Sequence, residues 1–498
     1  MDANAVDAAL RDVVKDVVSD HPVVGLAMGV VHGGRLVSFA GHGVADIRTG
    51  RPVTQDTGFR VASITKTVTG VAIMQLHEQG LIDLDAAANE RLRAFRLVNA
   101  DPGWPQATVR QLLTHTAGLG ELAGPSGMLR PDFGESVPAG ERVPSLAELY
   151  GGALMVRARP GSRFVYGNHS PATLGQIVED VSGVPLGDYV SRHITGPLGM
   201  TASSMHRSPT VTARLATGYE VRARGVQQVR ERDMATVGAA GLYSTPADMA
   251  RYLAALLAAG GAGGGPILSG RSWSQMVAPQ YQPHPRIPGM GLAFMRHGVG
   301  GRPVVGHQGT HPGFHSQVFL APDDDLAVMA FTNGARTADL WLPSATLGLL
   351  RRLLGDDDAV KRPAAAQRPD EWEDLVVRYR LDAGPTDIRL RGFLGLGAQV
   401  VVRGGALRMR FLSPVPTLAR GWPLVAADLD DPDVYRLDLG EPGLDPMLVV
   451  FERDAHGHSR ALHLDIMPLT LQRVASSMCD PEDFLPFSRR GRRGMLRK

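Results

Sequence analysis

Residues 355 to 370, Gly-Asp-Asp-Asp-Ala-Val-Lys-Arg-Pro-Ala-Ala-Ala-Gln-Arg-Pro-Asp, separate two stretches whose hydrophobic patterns belong to different kinds of fold. The segment is charged and carries prolines without an apolar period, which reads as a linker. Before it, apolar runs alternate with helical patterns; after it, short alternating runs follow one another between turn residues. A chain of 498 residues is also too long for one ordinary core. The expected organisation is a first domain over 1–354, a linker over 355–370, a second domain over 371–476 and a basic tail over 477–498.

In the first stretch, Val23–Val31 and Arg35–Ala40 are valine-rich runs joined by His32-Gly33-Gly34, a hairpin signal. Ser63–Gly80 carries Val68, Val71, Ala72, Met74, Gln75 and Leu76 at roughly helical spacing, which predicts an amphipathic helix closed by Gly80. Further helices are expected over Ala172–Val181 and Pro246–Ala259, the second with Pro246 near its start. Pro303–His307, Phe314–Leu320 and Leu326–Phe331 read as strands, the last two joined by the turn Pro322-Asp323-Asp324-Asp325. The pattern predicts an α+β domain, with Val23–Ala40 and Phe314–Phe331 in one antiparallel sheet flanked by helices. Residues 120–145 are rich in glycine and proline, and a loop that long in a compact domain is more often functional than idle.

In the second stretch, Leu407-Arg408-Met409-Arg410-Phe411 and Leu462-His463-Leu464-Asp465-Ile466 place an apolar residue at every second position. With Val400–Arg403, Tyr435–Leu439, Met447–Arg453 and Thr470–Val474 they make at least six short strands, the mark of an all-β barrel or sandwich.

Composition excludes several function classes. A net charge of +2 offers no general attraction for nucleic acid or an anionic membrane. Cys479 stands alone, so no internal disulfide can form. Met1-Asp2-Ala3-Asn4-Ala5-Val6-Asp7 lacks a basic leader, and no window has the length of a membrane span, so a cytoplasmic location is expected. The tail Ser488-Arg489-Arg490-Gly491-Arg492-Arg493 reads as a solvated end.

Against an arginine-rich background, Lys66 is the one lysine between residues 16 and 360. Arginine stays protonated in proteins, whereas lysine can release its proton and act as a base. It lies three residues after Ser63, where a helix is expected to begin, so the two side chains share a face one turn apart. At a helix N-terminus the serine also meets free N–H groups and the positive end of the dipole. Burial and neighbouring donors would have to bring the lysine down by roughly 2–3 units from about 10.4 for it to serve at neutral pH. In Tyr166-Gly167-Asn168, the tyrosine can exchange a proton with the serine, and the asparagine can hold the amine and a substrate carbonyl. A plain turn, with Asn168 as the cap of the following helix, stays open at this point. In His307-Gln308-Gly309-Thr310, a strand ending in His-x-Gly can lay its edge beside an acyl group, with the N–H groups of Thr310 and Ser63 facing a developing oxyanion.

Ser63-x-x-Lys66, Tyr166-Gly167-Asn168 and His307-Gln308-Gly309, in that order, are accompanied by Leu112-Leu113-Thr114-His115-Thr116-Ala117-Gly118-Leu119, Gly196-Pro197-Leu198-Gly199-Met200, Gly241-Leu242-Tyr243-Ser244-Thr245-Pro246-Ala247-Asp248 and Phe331-Thr332-Asn333. Over about residues 8 to 350 the chain resembles the serine β-lactamase and penicillin-binding-protein-like family, in the class C branch that also holds D-aminopeptidases, carboxylesterases and transacylases. The resemblance implies a β-lactamase/transpeptidase-like catalytic domain. In it Ser63 is acylated, Lys66 and Tyr166 move its proton, Asn168 positions amine and substrate, and His307, Gly309 and Thr310 form the wall and oxyanion site. The C-terminal strands look like the lipocalin-like barrel appended to some members.

The implied activity is a serine hydrolase acting on small esters, amides or short peptides, without metal or organic cofactor. Alternatives are a transacylase passing the acyl group to an amine or alcohol, a β-lactamase or DD-peptidase, and a non-catalytic acyl-binding sensor. His307 stands where class C β-lactamases have Lys-Thr-Gly, which points away from β-lactam hydrolysis. Pro312 and Gly313 interrupt the His307, His311, His315 spacing, so no metal site is expected there. His115 reads as a structural hydrogen-bonding residue.

Overall fold

The valine-rich run near the start forms the middle of a sheet whose other strands come mostly from three hundred residues later. The computed structural model describes residues 2–261, 263–356, 368–428, 431–440 and 446–474; most of the linker and the basic tail from 477 lie outside the described residues. Helix α1 (Ala3–Asp20) leads into β1 (Val23–His32), β2 (Arg35–Asp46) and the short β3 (Arg51–Pro52). Helices α2 (Thr65–Glu78), α3 (His169–Ser182) and α4 (Pro246–Ala259) lie in the long excursion that follows. The chain then returns as β4 (Met295–Val299), β5 (Arg302–His311), β6 (Phe314–Ala321) and β7 (Leu326–Ala335), and closes with α5 (Ala338–Leu353). The seven strands lie in the order β4-β5-β6-β7-β1-β2-β3, antiparallel throughout, with Ala27 of β1 opposite Phe331 of β7. The expected sharing of one sheet by Val23–Ala40 and Phe314–Phe331 is therefore found.

Period-2 alternation along β1 gives the sheet two apolar faces. Leu26, Met28 and Val30 share a cluster with Val6 and Leu10 of α1 and Trp341, Leu342 and Leu350 of α5. Ala27 and Val31 belong to a second, larger cluster with Val71 and Met74 of α2 and Leu253 and Leu256 of α4. Each fully buried valine, leucine or methionine among them stabilises the fold by about 1.5–3 kcal/mol. Helix α2 departs from expectation. Every position from Thr65 to Leu76 is buried, so the helix is central and not amphipathic. Its threonines are satisfied inside the protein: Thr69 Oγ1 donates to the Gly238 carbonyl at 2.8 Å, and the Tyr252 hydroxyl donates to Thr67 Oγ1 at 3.0 Å. Helical spacing of the apolar residues could not reveal this, because the intervening threonines pass for a polar face.

The described residues divide into two compact units, the second of which holds the C-terminal strands and also takes Pro283–Ile287. Its strands are β8 (Arg378–Leu381), β9 (Gly397–Arg403), β10 (Ala406–Phe411), β11 (Trp422–Ala426), β12 (Val434–Leu437), β13 (Met447–Arg453), β14 (Ser459–Leu464) and β15 (Leu469–Arg473). Each pairs with the next, and β15 pairs back onto β8, which closes an up-and-down barrel. Leu407, Met409 and Phe411 are buried while Arg408 and Arg410 between them are not, as their alternation requires. Strands β8 and β11 escape the sequence reading, one for its shortness and the other for Pro423, which tells against a strand. No helix among the described residues is long and apolar enough to cross a membrane.

Candidate active site

Ser63 lies in a 3-10 turn, Ala62–Ile64, which links the short strand Phe59–Arg60 to α2. It therefore precedes the α-helix instead of opening it. The turn is pinned from both sides: Phe59–Arg60 pairs with Tyr243–Ser244, and Val61 N–H donates to the Leu242 carbonyl at 3.1 Å. Ala62 has φ 47°, a left-handed conformation that costs a residue with a Cβ and recurs at functional turns.

Lys66, in the first turn of α2, is 2% exposed. Its Nζ lies 2.8 Å from Ser63 Oγ, 2.9 Å from Asn168 Oδ1 and 3.2 Å from the Ala239 carbonyl oxygen. The last two are acceptors without a hydrogen of their own, so they fix two N–H directions of a tetrahedral nitrogen. The position that remains faces Ser63. In the neutral amine that position is the lone pair, where the Ser63 hydroxyl can place its proton. Two opposed influences act on this amine: burial disfavours the ammonium, and the three oxygen atoms favour it.

Asn168 stands at the N-terminus of α3 but makes no side-chain bond to its own helix, so the capping alternative is not what the structure contains. Ala239 comes from the short helix Val237–Ala240, which can approach α3 because glycines face each other. A Cβ on Gly238 would fall 2.7 Å from the Pro171 carbonyl oxygen and 3.2 Å from Gly175 Cα. The Tyr166 ring centroid is 5.0 Å from Lys66 Nζ. That ring sits 4.8 Å from the His115 ring and 6.1 Å from the His307 ring.

Strand β5 forms the opposite wall, and it runs four residues beyond the expected end at His307. Its pairing with β4 stops at Gly306, whereas its pairing with β6 continues from His307 to His311. Among the described residues this leaves one edge of His307-Gln308-Gly309-Thr310 without a strand neighbour, and alternate backbone groups turn out from it. Gly309 is where this edge meets Ser63: a Cβ there would lie 2.3 Å from the Val61 carbonyl oxygen and 3.1 Å from Ser63 N. Thr310 is exposed next to it.

Four participants were not read from the sequence. The Ala239 carbonyl is one. The others are Glu135, whose Oε2 accepts from Asn168 Nδ2 at 2.5 Å, His169, and Tyr150, whose hydroxyl is 3.0 Å from His169 Nδ1. Glu135 and Tyr150 lie far from every motif along the chain, and a backbone carbonyl leaves no trace in residue identity.

Burial, reinforced by the Lys66 charge, lowers the His307 imidazole to about 3. The same two causes, with His307 third, hold His115 well below the usual histidine value. His311 is lowered to about 3 by burial and the Arg60 charge. All three are neutral in the folded protein at physiological pH but take up protons near 6.5 once unfolded. The unfolded state then binds more protons below that value, so stability is full above about pH 6.5 and is lost as pH falls towards 3, by up to about 1.4 kcal/mol per pH unit for each histidine. Thermal melts should show a flat Tm from pH 7 to 8 and a steep fall between pH 6 and 4. A Tm that is constant down to pH 4 would contradict this. Among the described residues no group of three or more His, Cys, Asp or Glu is placed to hold a metal ion.

A family model described as Beta-lactamase matches residues 10–350. Esterase EstB from Burkholderia gladioli is 30% identical over 282 residues, which span 52% of this chain and 72% of that protein. The D-aminopeptidase of Cereibacter sphaeroides (strain KD131 / KCTC 12085) is 27% identical over 411 residues, 76% of this chain and 71% of that protein. Among solved structures, that of SurE with D-Leu superposes with a TM-score of 0.61 at 24% identity, covering 95% of this chain and 100% of the other, a likeness of fold.

Proposed function

This chain belongs to the β-lactamase family, and on that premise we propose that Ser63 is its nucleophile and Lys66 the base that activates it. The protein is a serine hydrolase of that family. Ser63 Oγ attacks an ester or amide carbonyl carbon while its proton passes to Lys66 Nζ. The bond to the leaving alcohol or amine then breaks, and the proton returns to that leaving group with Tyr166 assisting. Water attacks the acyl-enzyme in the second half, or an amine or alcohol does so in a transacylase. Asn168 orients Lys66 and the substrate, and the N–H groups of Ser63 and Thr310 receive the oxyanion beside Gly309 and His307.

The observation that carries this reading is the Lys66 amine, with two directions taken by Asn168 and Ala239 and the third facing Ser63 at 2.8 Å. The substrate class is proposed as small esters, amides or short peptides, in keeping with the names of EstB and the D-aminopeptidase. The neutral state of His307 supports these over β-lactams, since an uncharged imidazole gives a substrate carboxylate no cation to meet. Rapid mixing with p-nitrophenyl acetate tests the two-step course. A burst of p-nitrophenol equal to the enzyme concentration should precede a slower steady state. Turnover that accelerates with an added amine would favour the transacylase, and adduct formation without turnover would favour a sensor.

A further inference from the structure

We propose that Glu135 is a positioning residue of the Ser63–Lys66 centre, its carboxylate holding the Asn168 amide with Oδ1 turned to Lys66. The inference rests on the reading of Ser63 and Lys66 given above. Glu135 comes from the glycine- and proline-rich 120–145 loop and is 2% exposed. Its Oε2 accepts from Asn168 Nδ2 at 2.5 Å, and the other end of that amide accepts from Lys66 Nζ at 2.9 Å. A carboxylate offers acceptors alone, so the amide must present its NH₂ to Glu135 and its oxygen to the amine. The flipped amide would set oxygen against oxygen on one side and N–H against N–H on the other.

Glu135 is itself held in place. Its carbonyl accepts from Ala235 N at 2.8 Å, and Ser136–Pro138 pairs with Arg232–Met234. On its far side, His169 Nε2 is 3.7 Å from Oε1. Burial, with the Glu135 charge second, pushes the Tyr150 hydroxyl well above its usual range, and that hydroxyl lies 3.0 Å from His169 Nδ1. Hydrogen bonds run Glu135–Asn168–Lys66–Ser63, so the 120–145 loop reaches the Lys66 amine through Asn168.

Removal of the Glu135 charge has a second, separable consequence. A negative charge behind Asn168 favours the Lys66 ammonium. The Tyr166 ring and the imidazoles of His115 and His307, both neutral, also face Lys66.

The test uses the full chain with p-nitrophenyl acetate, as wild type, Glu135→Leu and Glu135→Gln. Leucine gives Asn168 no acceptor, and the burst rate constant should fall at least about tenfold with KM changed by less than about threefold, the split of an orienting role. Glutamine keeps an acceptor and drops the charge. Its acylation at alkaline pH should stay within about threefold of wild type, while the acid limb of kcat/KM moves down by about half a pH unit or more. A purely structural role would lower the Tm of both variants and leave that limb in place. Wild-type acylation by Glu135→Leu, or an unmoved acid limb in Glu135→Gln, overturns the inference; if Glu135→Leu does not fold, the glutamine profile decides alone. A wild type without a burst overturns the Ser63 reading instead, so the two failures are told apart by the parent protein.

Discussion

Lys66→Arg is expected to abolish acylation of Ser63, with kcat/KM for an activated ester falling about 10²- to 10⁴-fold, the scale of a lost general base. Arginine keeps the positive charge and fits a donor to Asn168 Oδ1 and the Ala239 carbonyl, so the electrostatic setting of the pocket is retained. What it cannot do is present a lone pair to Ser63, because the guanidinium has five N–H donors and does not release a proton in proteins. The substitution therefore separates charge from proton transfer. A thermal melt run beside the assay keeps the result clean, since Lys66 is buried and the larger side chain has to fit. Loss of activity in a folded variant is the expected outcome. A folded variant that keeps a tenth or more of wild-type kcat/KM would remove Lys66 as the base.

The second large effect is at Gly309. A methyl group there would sit 2.2 Å from Ser316 Oγ, 2.3 Å from the Val61 carbonyl oxygen and 3.1 Å from Ser63 N. These atoms are not free to retreat: Ser316 Oγ donates to the Val61 carbonyl at 2.8 Å, and Val61 N–H is tied to Leu242. Gly309→Ala must push β5 away from the turn that carries Ser63, and the two proposed oxyanion donors with it. Loss of one such donor alone raises the barrier by about 2.7–4 kcal/mol, so kcat/KM should fall about 10²- to 10³-fold. Tm should fall as well. Gly298→Ala is the control on the same sheet, because a Cβ on Gly298 of β4 meets nothing within 4 Å. If Gly309→Ala acylates at the wild-type rate while Gly298→Ala does too, the β5 edge is not the wall of the oxyanion site.

Strands and helices whose residues face one environment were readable in advance. Pro246–Ala259 is found with the expected bounds because a proline at its start and glycines beyond its end frame an apolar run. Alternation exposed most of the barrel, where successive side chains point into the core and away from it, and an unbroken apolar run exposed β1, which is buried on both faces. Legibility failed where side chains serve the site instead of the core. The polar His-Gln-Gly-Thr stretch hides the continuation of β5, although its backbone pairs with β6 as regularly as the valines before it. A left-handed alanine gives no warning of the turn at Ala62, because the conformation is imposed by the strand and helix that grip it.

The same distinction applies to the candidate centre. Ser63, Lys66, Tyr166, Asn168 and His307 could be singled out because their chemistry is uncommon at those spacings, and the structure brings them around one amine and one sheet edge. The partners that hold them are ordinary residues. Glu135 is one acid among many in a loop, and nothing along the chain connects it to Asn168 thirty-three residues later. Only folding makes that pair, and only the pair says which way the amide points.

The most direct measurement is the mass of the intact chain after brief exposure to p-nitrophenyl acetate and an acid quench, followed by peptide mapping. The proposed chemistry predicts a gain of one acetyl group on the peptide that carries Ser63, and no such gain in Ser63→Ala. An unmodified wild type, or a Ser63→Ala variant that still turns over the ester at the wild-type rate, would contradict it.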